Sequence, residues 1–415
     1  MNKSIIPEDW AVVLLGFLII IVSLAGVVLA VPEYSWNTSA DLTGKILTGT
    51  NLLTIALQFL FVYIIAALGS FLTGKSVEGT IKAFPFIYLL TTVALIIAGN
   101  SAVKDYNLEA VIFSLAIGLL IGNFFNLPQW FKDALASEFY VKIGLVLLGT
   151  TIIFGDILKA GSLGLIQALL VVVSVWYFSY WVCKRLKIDD ELTMMLSSAV
   201  SICGVSAAIA TSGAIKGDSK KLSLVISLVL ITAVPMMIFM PYIAKVLGLS
   251  QEVTGAWLGG SIDTTGAVVA SGSLVGETAL KISTIVKFSQ NVLLGIAAFA
   301  ISVYWTYTKH PAANDAENKP TLAVIWERFP KFVIGFIAAS VVFSFFLSAD
   351  TIAPVKAPLK SLQGLWFVLA FTSIGLETNF KDLLHTDNKK PIYAFLIAQG
   401  FNVIVTLVIA YFLFQ

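Results

Sequence analysis

Long apolar runs alternate with short polar segments along most of the chain. The run from Trp10 to Val31 holds no charged residue over 22 positions, and about 20 apolar residues are enough for a helix to cross a bilayer. Reading such runs along the sequence predicts eleven membrane-spanning helices, at residues 10–31, 52–73, 83–98, 108–125, 141–157, 163–182, 222–247, 282–306, 328–347, 362–380 and 391–413.

Composition supports an integral membrane protein. Hydrophobic residues make up 58% of the chain and charged residues 12%, with a mean hydropathy of +0.93, whereas soluble domains carry roughly 25% charged residues. The first run exceeds the 7–15 apolar residues of a signal peptide and follows Glu8 and Asp9, so we expect a retained helix. The net charge of +2 gives no reason to expect a nucleic-acid partner.

Basic residues are concentrated in four of the predicted loops. These loops cover residues 183–191, 216–221, 307–331 and 381–390, and short basic loops favour the cytoplasm. The pattern predicts a multi-pass protein of the inner membrane with a cytoplasmic N-terminus.

The segment 192–214 is flanked by two of these basic loops. If both flanks are cytoplasmic, the segment dips into the membrane and returns, with Gly204 at the turn. The alternative is a broken helix that crosses fully and leaves one basic loop on the other side. The sequence favours the hairpin and leaves the crossing helix open.

A second segment, 254–276, resembles the first in its small and hydroxyl residues. Aligned without gaps, "SICGVSAAIATSG" at 201–213 and "SIDTTGAVVASGS" at 261–273 share Ser, Ile and two Ala positions. The segments 147–158 and 370–384 form another matched pair. Two such pairs in opposite orientation predict inverted, permuted repeats, which are typical of secondary transporters.

The predicted fold class is therefore an all-α polytopic membrane protein with about eleven transmembrane helices and two discontinuous or re-entrant segments. We divide the chain into N-terminal scaffold helices at 1–107, a first repeat at 108–247 and a second repeat at 248–415. The first repeat contains 192–214, and the second contains 254–276.

Asp263 is the strongest candidate for coupling to Na⁺ or H⁺, because a carboxylate at bilayer depth costs roughly 2.5–3.5 kcal/mol unless it faces a cavity or a partner. Lys287 is predicted either to pair with Asp263, to meet an anionic substrate or to reach the interface, with Gln290 and Asn291 beside it. The predicted substrate-binding residues are the small and hydroxyl residues of the two turns: Ser201, Cys203, Gly204, Ser206, Ser261, Thr264, Thr265 and Gly266.

Several motifs in this region resemble the YeiH family, described as sulfate exporters. The matching residues are Cys203-Gly204-Val205-Ser206-Ala207, the stretch Gly255 to Ile262 around Trp257, and the step Val286-Lys287. The resemblance is strongest over 183–300 and extends from 108 to the C-terminus. It implies a secondary carrier with inverted repeats and, less specifically, sulfate as the substrate.

The chain departs from that family at three positions. Many members have a His-acid pair where this chain has Asp263-Thr264, a Gln where it has Ala267, and an Arg where it has Gln290. The resemblance therefore leaves the substrate and the coupling ion open.

The sequence thus predicts a secondary transporter that moves a small anion, sulfate or a related oxyanion or organic anion, by alternating access. A cation/proton antiporter that uses Asp263 and an anion channel are the alternatives. We expect no enzymatic activity and no cofactor other than Na⁺ or H⁺ as a coupling ion. The expected partners are the anionic solute and the lipid bilayer, and the sequence leaves a homodimer open.

Overall fold

The computed structural model describes residues 4–105, 109–309, 323–378 and 389–415. These residues form helices and no strand. The main helices are α1 (Glu8–Leu24), α2 (Gly49–Thr73), α3 (Val77–Ala98), α4 (Ala110–Phe124), α5 (Ser137–Leu148), α6 (Phe154–Arg185), α7 (Asp190–Ser198), α8 (Val205–Ile215), α9 (Ser219–Val246), α10 (Gln251–Ser261), α11 (Thr265–Val275), α12 (Glu277–Lys309), α13 (Lys331–Val341), α14 (Ala349–Glu377) and α15 (Lys390–Phe414).

Short helical pieces connect or extend these helices. Single turns or slightly longer pieces lie at Ser39–Asp41, Leu42–Ile46, Ser101–Asp105, Gln129–Lys132, Gly149–Thr151, Ala199–Cys203, Ala323–Arg328 and Val342–Phe346. Eight helices of the described part are long and apolar enough to cross a membrane, and they include α2, α3, α6, α9, α12, α14 and α15 as well as a continuous stretch that contains α5. The predicted all-α polytopic fold is confirmed.

Two predicted spans end earlier than the hydropathy suggested. The span predicted at 10–31 ends at Leu24, because Gly26 adopts φ +96° and turns the chain although apolar residues follow. The span predicted at 141–157 ends at Leu148. A tight turn at Gly149–Thr151 separates it from α6, which starts at Phe154.

The chain forms two compact units. Unit 1 contains residues 1–155 and 331–379, and unit 2 contains residues 156–330 and 380–415. These units are defined by packing, whereas the predicted division at 107/108 and 247/248 is defined by sequence repeats. A structural repeat can contribute helices to both units. The division by repeats stays a prediction.

Unit 1 is held together by close helix packing and by buried polar contacts. Gly118 in α4 and Gly375 in α14 allow their backbones to approach, since a Cβ on Gly118 would lie 2.5 Å from the carbonyl oxygen of Thr372. Near the start of α1, the Lys142 ammonium lies 3.0 Å from carboxylate oxygens of both Glu8 and Asp9. These contacts give unit 1 a packed interior.

Unit 2 contains both discontinuous segments, together with α6, α9, α12 and α15. One hydrophobic cluster joins the C-terminal end of α6 (Val182 and Cys183), α7 (Leu192), the end of α12 (Trp305) and the start of α15 (Phe395). These four helix ends therefore lie at one end of unit 2. The histidines, His310 and His385, lie outside the described residues.

Candidate functional site

The segment 192–214 is a re-entrant hairpin, here called hairpin 1 (residues 190–215). Lys221, just after it, places its ammonium 2.7 Å from Asp189 Oδ1 and 3.1 Å from Glu191 Oε2, just before and at its start. The Asp218 amide also donates to Glu191 Oε2 at 3.3 Å. Since both ends of the segment meet, it returns to the side from which it enters, and the crossing alternative is excluded.

The second segment forms an equivalent hairpin, here called hairpin 2 (residues 251–275). Its two ends also meet, because a Cβ on Gly276 would lie 2.7 Å from the side chain of Gln251. The second arms of the two hairpins, α8 and α11, start and end 60 positions apart, which is the offset of the gapless sequence alignment. The predicted correspondence between the two segments is therefore present in the structure.

The hairpins enter unit 2 from opposite ends. Hairpin 1 precedes α9 and hairpin 2 follows it, and the 28 residues of this helix span about 42 Å. The two turns nevertheless meet, because a Cβ on Gly204 would lie 3.0 Å from the Cβ of Asp263. Two discontinuous segments thus meet at their turns within unit 2, as the sequence predicts.

The turn of hairpin 1 depends on glycine. Gly204 has φ +59° and ψ −112°, a conformation that residues with a Cβ rarely adopt, and a Cβ there would approach Val229 Cγ1 to 2.6 Å. A widened helical turn at Ala199–Cys203 leads into it. The arm α8 then starts at Val205, and no side chain caps its N-terminus.

The turn of hairpin 2 carries an acid instead. Asp263 lies between α10 and α11 and is only 2% exposed. Thr264 follows it and caps α11 by accepting a hydrogen bond from the Ala267 amide at 3.3 Å. The carboxyl group of Asp263 lies near Lys287 and the side chain of Gln399.

The first arms end in carbonyl groups that side chains from α12 satisfy. Lys287, 1% exposed, donates to the carbonyl oxygen of Ile202 at 2.8 Å and to Gln290 Oε1 at 2.9 Å. Gln290 Nε2 donates to the carbonyl oxygens of Ser201 at 3.0 Å and Gly260 at 3.3 Å. A positive charge at a helix C-terminus complements the helix dipole, so Lys287 stabilises the broken end of hairpin 1 and is not at the interface.

Two amides on α15 complete this arrangement. Gln399 Nε2 donates to the carbonyl oxygen of Ser261 at 2.9 Å. Asn402 Nδ2 donates to the carbonyl oxygens of Val200 at 3.1 Å and Ser261 at 3.2 Å, and it therefore joins the two hairpins. The sequence analysis did not assign Gln399 and Asn402 to the site. The sequence feature that could have indicated them is the presence of two amide side chains inside an otherwise apolar span.

The structure brings the predicted site residues together around the two turns, in three environments. Ser201, Cys203, Gly204 and Ser261 are buried, Thr264, Thr265 and Gly266 are partly exposed, and Ser206 is exposed. Among the predicted coupling residues, Asn291 donates through Nδ2 to Thr265 Oγ1 at 3.3 Å. The exposed and partly exposed residues lie on the first turns of α8 and α11.

The two second arms present their N-terminal ends at the place where the turns meet. A helix N-terminus carries free amide groups and the positive end of the helix dipole, which attract anions. The first arms present carbonyl groups, but these are already bonded to Lys287, Gln290, Gln399 and Asn402. The arrangement is therefore suited to hold an anion at the second arms.

A family model described as "Conserved hypothetical protein 698" matches residues 82–394, which include both hairpins and all of the predicted site residues. The chain belongs to this family. A UPF0324 membrane protein of Rhodopirellula baltica is 41% identical over 328 residues, which are 77% of this chain and 60% of that protein.

Other UPF0324 membrane proteins are similar to this member of the conserved hypothetical protein 698 family. One from Nitratidesulfovibrio vulgaris is 39% identical over 76% of this chain and 56% of its own length, and one from Nitrosomonas europaea is 30% identical over 68% and 64%. The match thus spans about three fifths of the length of each of these three relatives. No solved structure matches it. The names support a membrane protein and give no substrate, so the likeness to sulfate exporters stays a prediction.

Proposed function

We propose that the protein is a secondary transporter that moves a small anion, sulfate or a related oxyanion or organic anion, across the inner membrane by alternating access. One observation carries this proposal: two re-entrant hairpins enter unit 2 from opposite ends and meet at Gly204 and Asp263. Broken backbone of this kind is tolerated at membrane depth only when it is buried in protein or lines a cavity, and opposed discontinuous segments are typical of transporter substrate sites.

The exposed and partly exposed residues at the turns favour an anion as the solute. No side chain caps the N-terminus of α8, and Ser206 in its first turn is exposed. The hydroxyl groups of Thr264 and Thr265 lie at the start of α11 and are partly exposed. Backbone amides and hydroxyl groups are donors of the kind that oxyanions accept.

The distribution of basic residues supports the predicted orientation. Lys184 and Arg185 end α6, Lys220 and Lys221 begin α9, and Lys390 begins α15. The hydrophobic cluster places the end of α6 and the start of α15 together, at the base of hairpin 1. By the rule that basic loops face the cytoplasm, we propose that hairpin 1 enters from the cytoplasmic side and that the N-terminus is also cytoplasmic.

The experiment that tests the proposal is counterflow of labelled sulfate into proteoliposomes loaded with unlabelled sulfate. A carrier gives saturable uptake that unlabelled anion inside accelerates, whereas a channel gives neither saturation nor counterflow. Absence of counterflow for sulfate and for a panel of small oxyanions and organic anions, with folded protein, would exclude an anion carrier.

Ser206 offers a variant that separates anion binding from folding. Ser206→Asp places a negative charge in the first turn of α8, where an acid stabilises a helix by typically 0.3–1 kcal/mol. We therefore expect Ser206→Asp to fold at least as well as the native protein and to lose anion counterflow by repulsion. The matched control is Ser206→Asn, which has a similar size and no charge and should keep most of the flux.

One observation favours the alternative of a cation/proton antiporter. Asp263 Oδ2 is buried and has no hydrogen-bond partner among the described residues. An antiporter would exchange Na⁺ for H⁺ across the liposome membrane with no anion present. In that case Ser206→Asp would leave the flux unchanged, and Asp263→Asn would abolish it.

A further inference from the structure

Four buried oxygen atoms without a partner surround the turn of hairpin 2. They are Ser261 Oγ, Asp263 Oδ2, Asn291 Oδ1 and Gln399 Oε1, and none of them has a hydrogen-bond partner within the described part of the chain. The four residues are between 0% and 6% exposed. Leaving a buried polar atom unsatisfied costs about 1–3 kcal/mol, so four around one turn call for a physical explanation.

The residues that carry these atoms are linked along the chain or through direct hydrogen bonds. Ser261 and Asp263 belong to the turn itself. Gln399 donates to the carbonyl oxygen of Ser261 at 2.9 Å, and Asn291 contacts Thr265 Oγ1 at 3.3 Å. The five-residue region 261–265 thus carries two of the oxygens and is hydrogen-bonded to the two side chains that carry the others.

The amide NH₂ groups of Gln399 and Asn291 already donate hydrogen bonds, and acceptor oxygens remain on all four side chains. The contact of Gln399 with a carbonyl oxygen must be made by its NH₂ group, because a carbonyl only accepts, and this fixes the orientation of the amide. Its Oε1 is consequently the atom left over. Carboxylate, amide and hydroxyl oxygens are the ligands that hard metal cations prefer. Acceptor oxygens do not bind an anion, because an anion needs hydrogen-bond donors.

The charges near the turn limit the cation to a single charge. Asp263 is the acid of the turn, and the Lys287 ammonium acts on it electrostatically. Because the ammonium already offsets the carboxylate, a divalent ion would leave two uncompensated positive charges at this buried place. A monovalent ion leaves only one, which the neutral oxygens can stabilise.

We propose that the turn of hairpin 2 binds a dehydrated monovalent metal cation of the Na⁺ class through the Asp263 carboxylate and the buried oxygens of Ser261, Gln399 and Asn291. The position of this cation site also couples cation binding to anion binding. Only this coupling rests on the proposed function. Asp263 immediately precedes the N-terminal end of α11, so its free carboxylate repels an anion there. A bound cation removes this repulsion, and the two solutes bind together.

The test measures thermal unfolding of the purified full-length protein in detergent, in NaCl and in choline chloride at equal ionic strength and fixed pH. A ligand that binds only the folded protein raises its melting temperature with concentration. We expect Na⁺ to raise the melting temperature with saturation and choline to leave it unchanged. Asp263→Asn should abolish the Na⁺ response.

Two serines of hairpin 2 form a matched pair that keeps the test decisive if Asp263→Asn does not fold. Both are fully buried, but Ser261 Oγ is unpartnered, whereas Ser271 Oγ donates to the carbonyl oxygen of Val268 at 3.0 Å. We expect Ser261→Ala to raise the half-saturating Na⁺ concentration by about tenfold, the effect of losing one ligand worth about 1.4 kcal/mol. Ser271→Ala should leave it unchanged.

Two outcomes would overturn the inference. Equal melting in Na⁺ and choline, with a pH-dependent change that Asp263→Asn removes, would show that the carboxyl takes only a proton. Equal Na⁺ responses in Ser261→Ala and Ser271→Ala would place the cation elsewhere. Because this test contains no transported anion, Na⁺ binding without sulfate counterflow would contradict the proposed function alone, and counterflow without Na⁺ binding would contradict this inference alone.

Discussion

Hairpin 1 turns at a glycine and presents no ionisable side chain at that position, whereas hairpin 2 turns at a buried aspartate followed by a capping threonine. In other respects the two are alike, since their second arms have the same length and their first arms end in carbonyl groups that α12 and α15 satisfy. The difference shows that hairpin 1 depends on a backbone conformation that glycine allows, whereas hairpin 2 carries a charged group at its turn. Changes at the two turns should therefore fail in different ways.

The largest expected effect is at Gly204. Gly204→Ala would force a Cβ to 2.6 Å from Val229 Cγ1 in a backbone conformation that only glycine adopts readily. Strain and overpacking together should destabilise unit 2 by roughly 2–6 kcal/mol, seen as a large fall in melting temperature. The control is Gly400→Ala in α15, where a Cβ meets nothing within 4 Å and helix propensity favours alanine. Equal melting of the two variants would contradict the backbone role of Gly204.

The next effect concerns the charge at hairpin 2. Lys287→Met removes the donor to the carbonyl oxygen of Ile202 and leaves the Asp263 carboxylate uncompensated, a loss of about 3–5 kcal/mol for a buried charge. The double variant Lys287→Met/Asp263→Asn should be more stable than Lys287→Met alone. Melting temperatures of all four members of the cycle measure this coupling, and strict additivity would show that the two groups do not interact.

A substitution at Asn402 should have a smaller effect on stability and should affect both hairpins. Asn402→Leu removes the amide that bonds to Val200 in hairpin 1 and to Ser261 in hairpin 2. We expect a loss of about 1–3 kcal/mol for the carbonyl groups left unpaired. Hydrogen exchange at the turns should then rise in both hairpins, and a rise confined to one of them would contradict the bridging role.

The bases of the hairpins should differ in their response to salt. Lys221→Ala breaks the contacts to Asp189 and Glu191 that close hairpin 1, whereas the base of hairpin 2 is closed by Gly276 against Gln251. Because Lys221 is partly exposed, the loss should be at most about 1 kcal/mol. Salt should reduce the difference between the native protein and Lys221→Ala, which melting at low and high NaCl would show. A difference that salt leaves intact would point to packing instead of charge.

Acid should loosen the same base slightly. The backbone amides of Lys220 and Lys221 donate to the Asp218 carboxylate and hold its pKa below the usual value. A lowered pKa contributes stability above the ordinary carboxyl pKa, and this contribution is lost as the pH falls through the folded-state value. Relative to the intrinsic exchange rates, amides at 216–222 should therefore lose more protection on acidification than amides at 247–254, which include Gly248 and Leu249. Equal losses of protection would contradict this role of Asp218.

Much of this comparison could be predicted from the sequence. The basic flanks of 192–214, together with Gly204, favoured a hairpin, and the resemblance between 201–213 and 261–273 located the second one with Asp263 at its turn. Hydropathy also located the spans, although it missed the end of α1 at Leu24, because Gly26 breaks the helix inside an apolar run.

The partners of the broken helix ends could not be predicted. Val200 is bonded to a side chain 202 positions later, and Ser261 to one 141 positions later. Hydropathy and local motifs contain no information about such distant pairs. For the same reason the alternatives predicted for Lys287, namely pairing with Asp263, contact with an anionic substrate or a place at the interface, did not include its bonds to Ile202 and Gln290.

The dependence on α15 also has a consequence for biogenesis. During synthesis the hairpins are made long before Asn402, so their terminal carbonyl groups remain without these partners until the last described helix has been inserted. Partly made chains should therefore hold the hairpins loosely at the membrane, where quality-control proteases can reach them. Loss of α15 alone would leave the carbonyl ends of both first arms with the hydrogen bonds from Lys287 and Gln290 on α12.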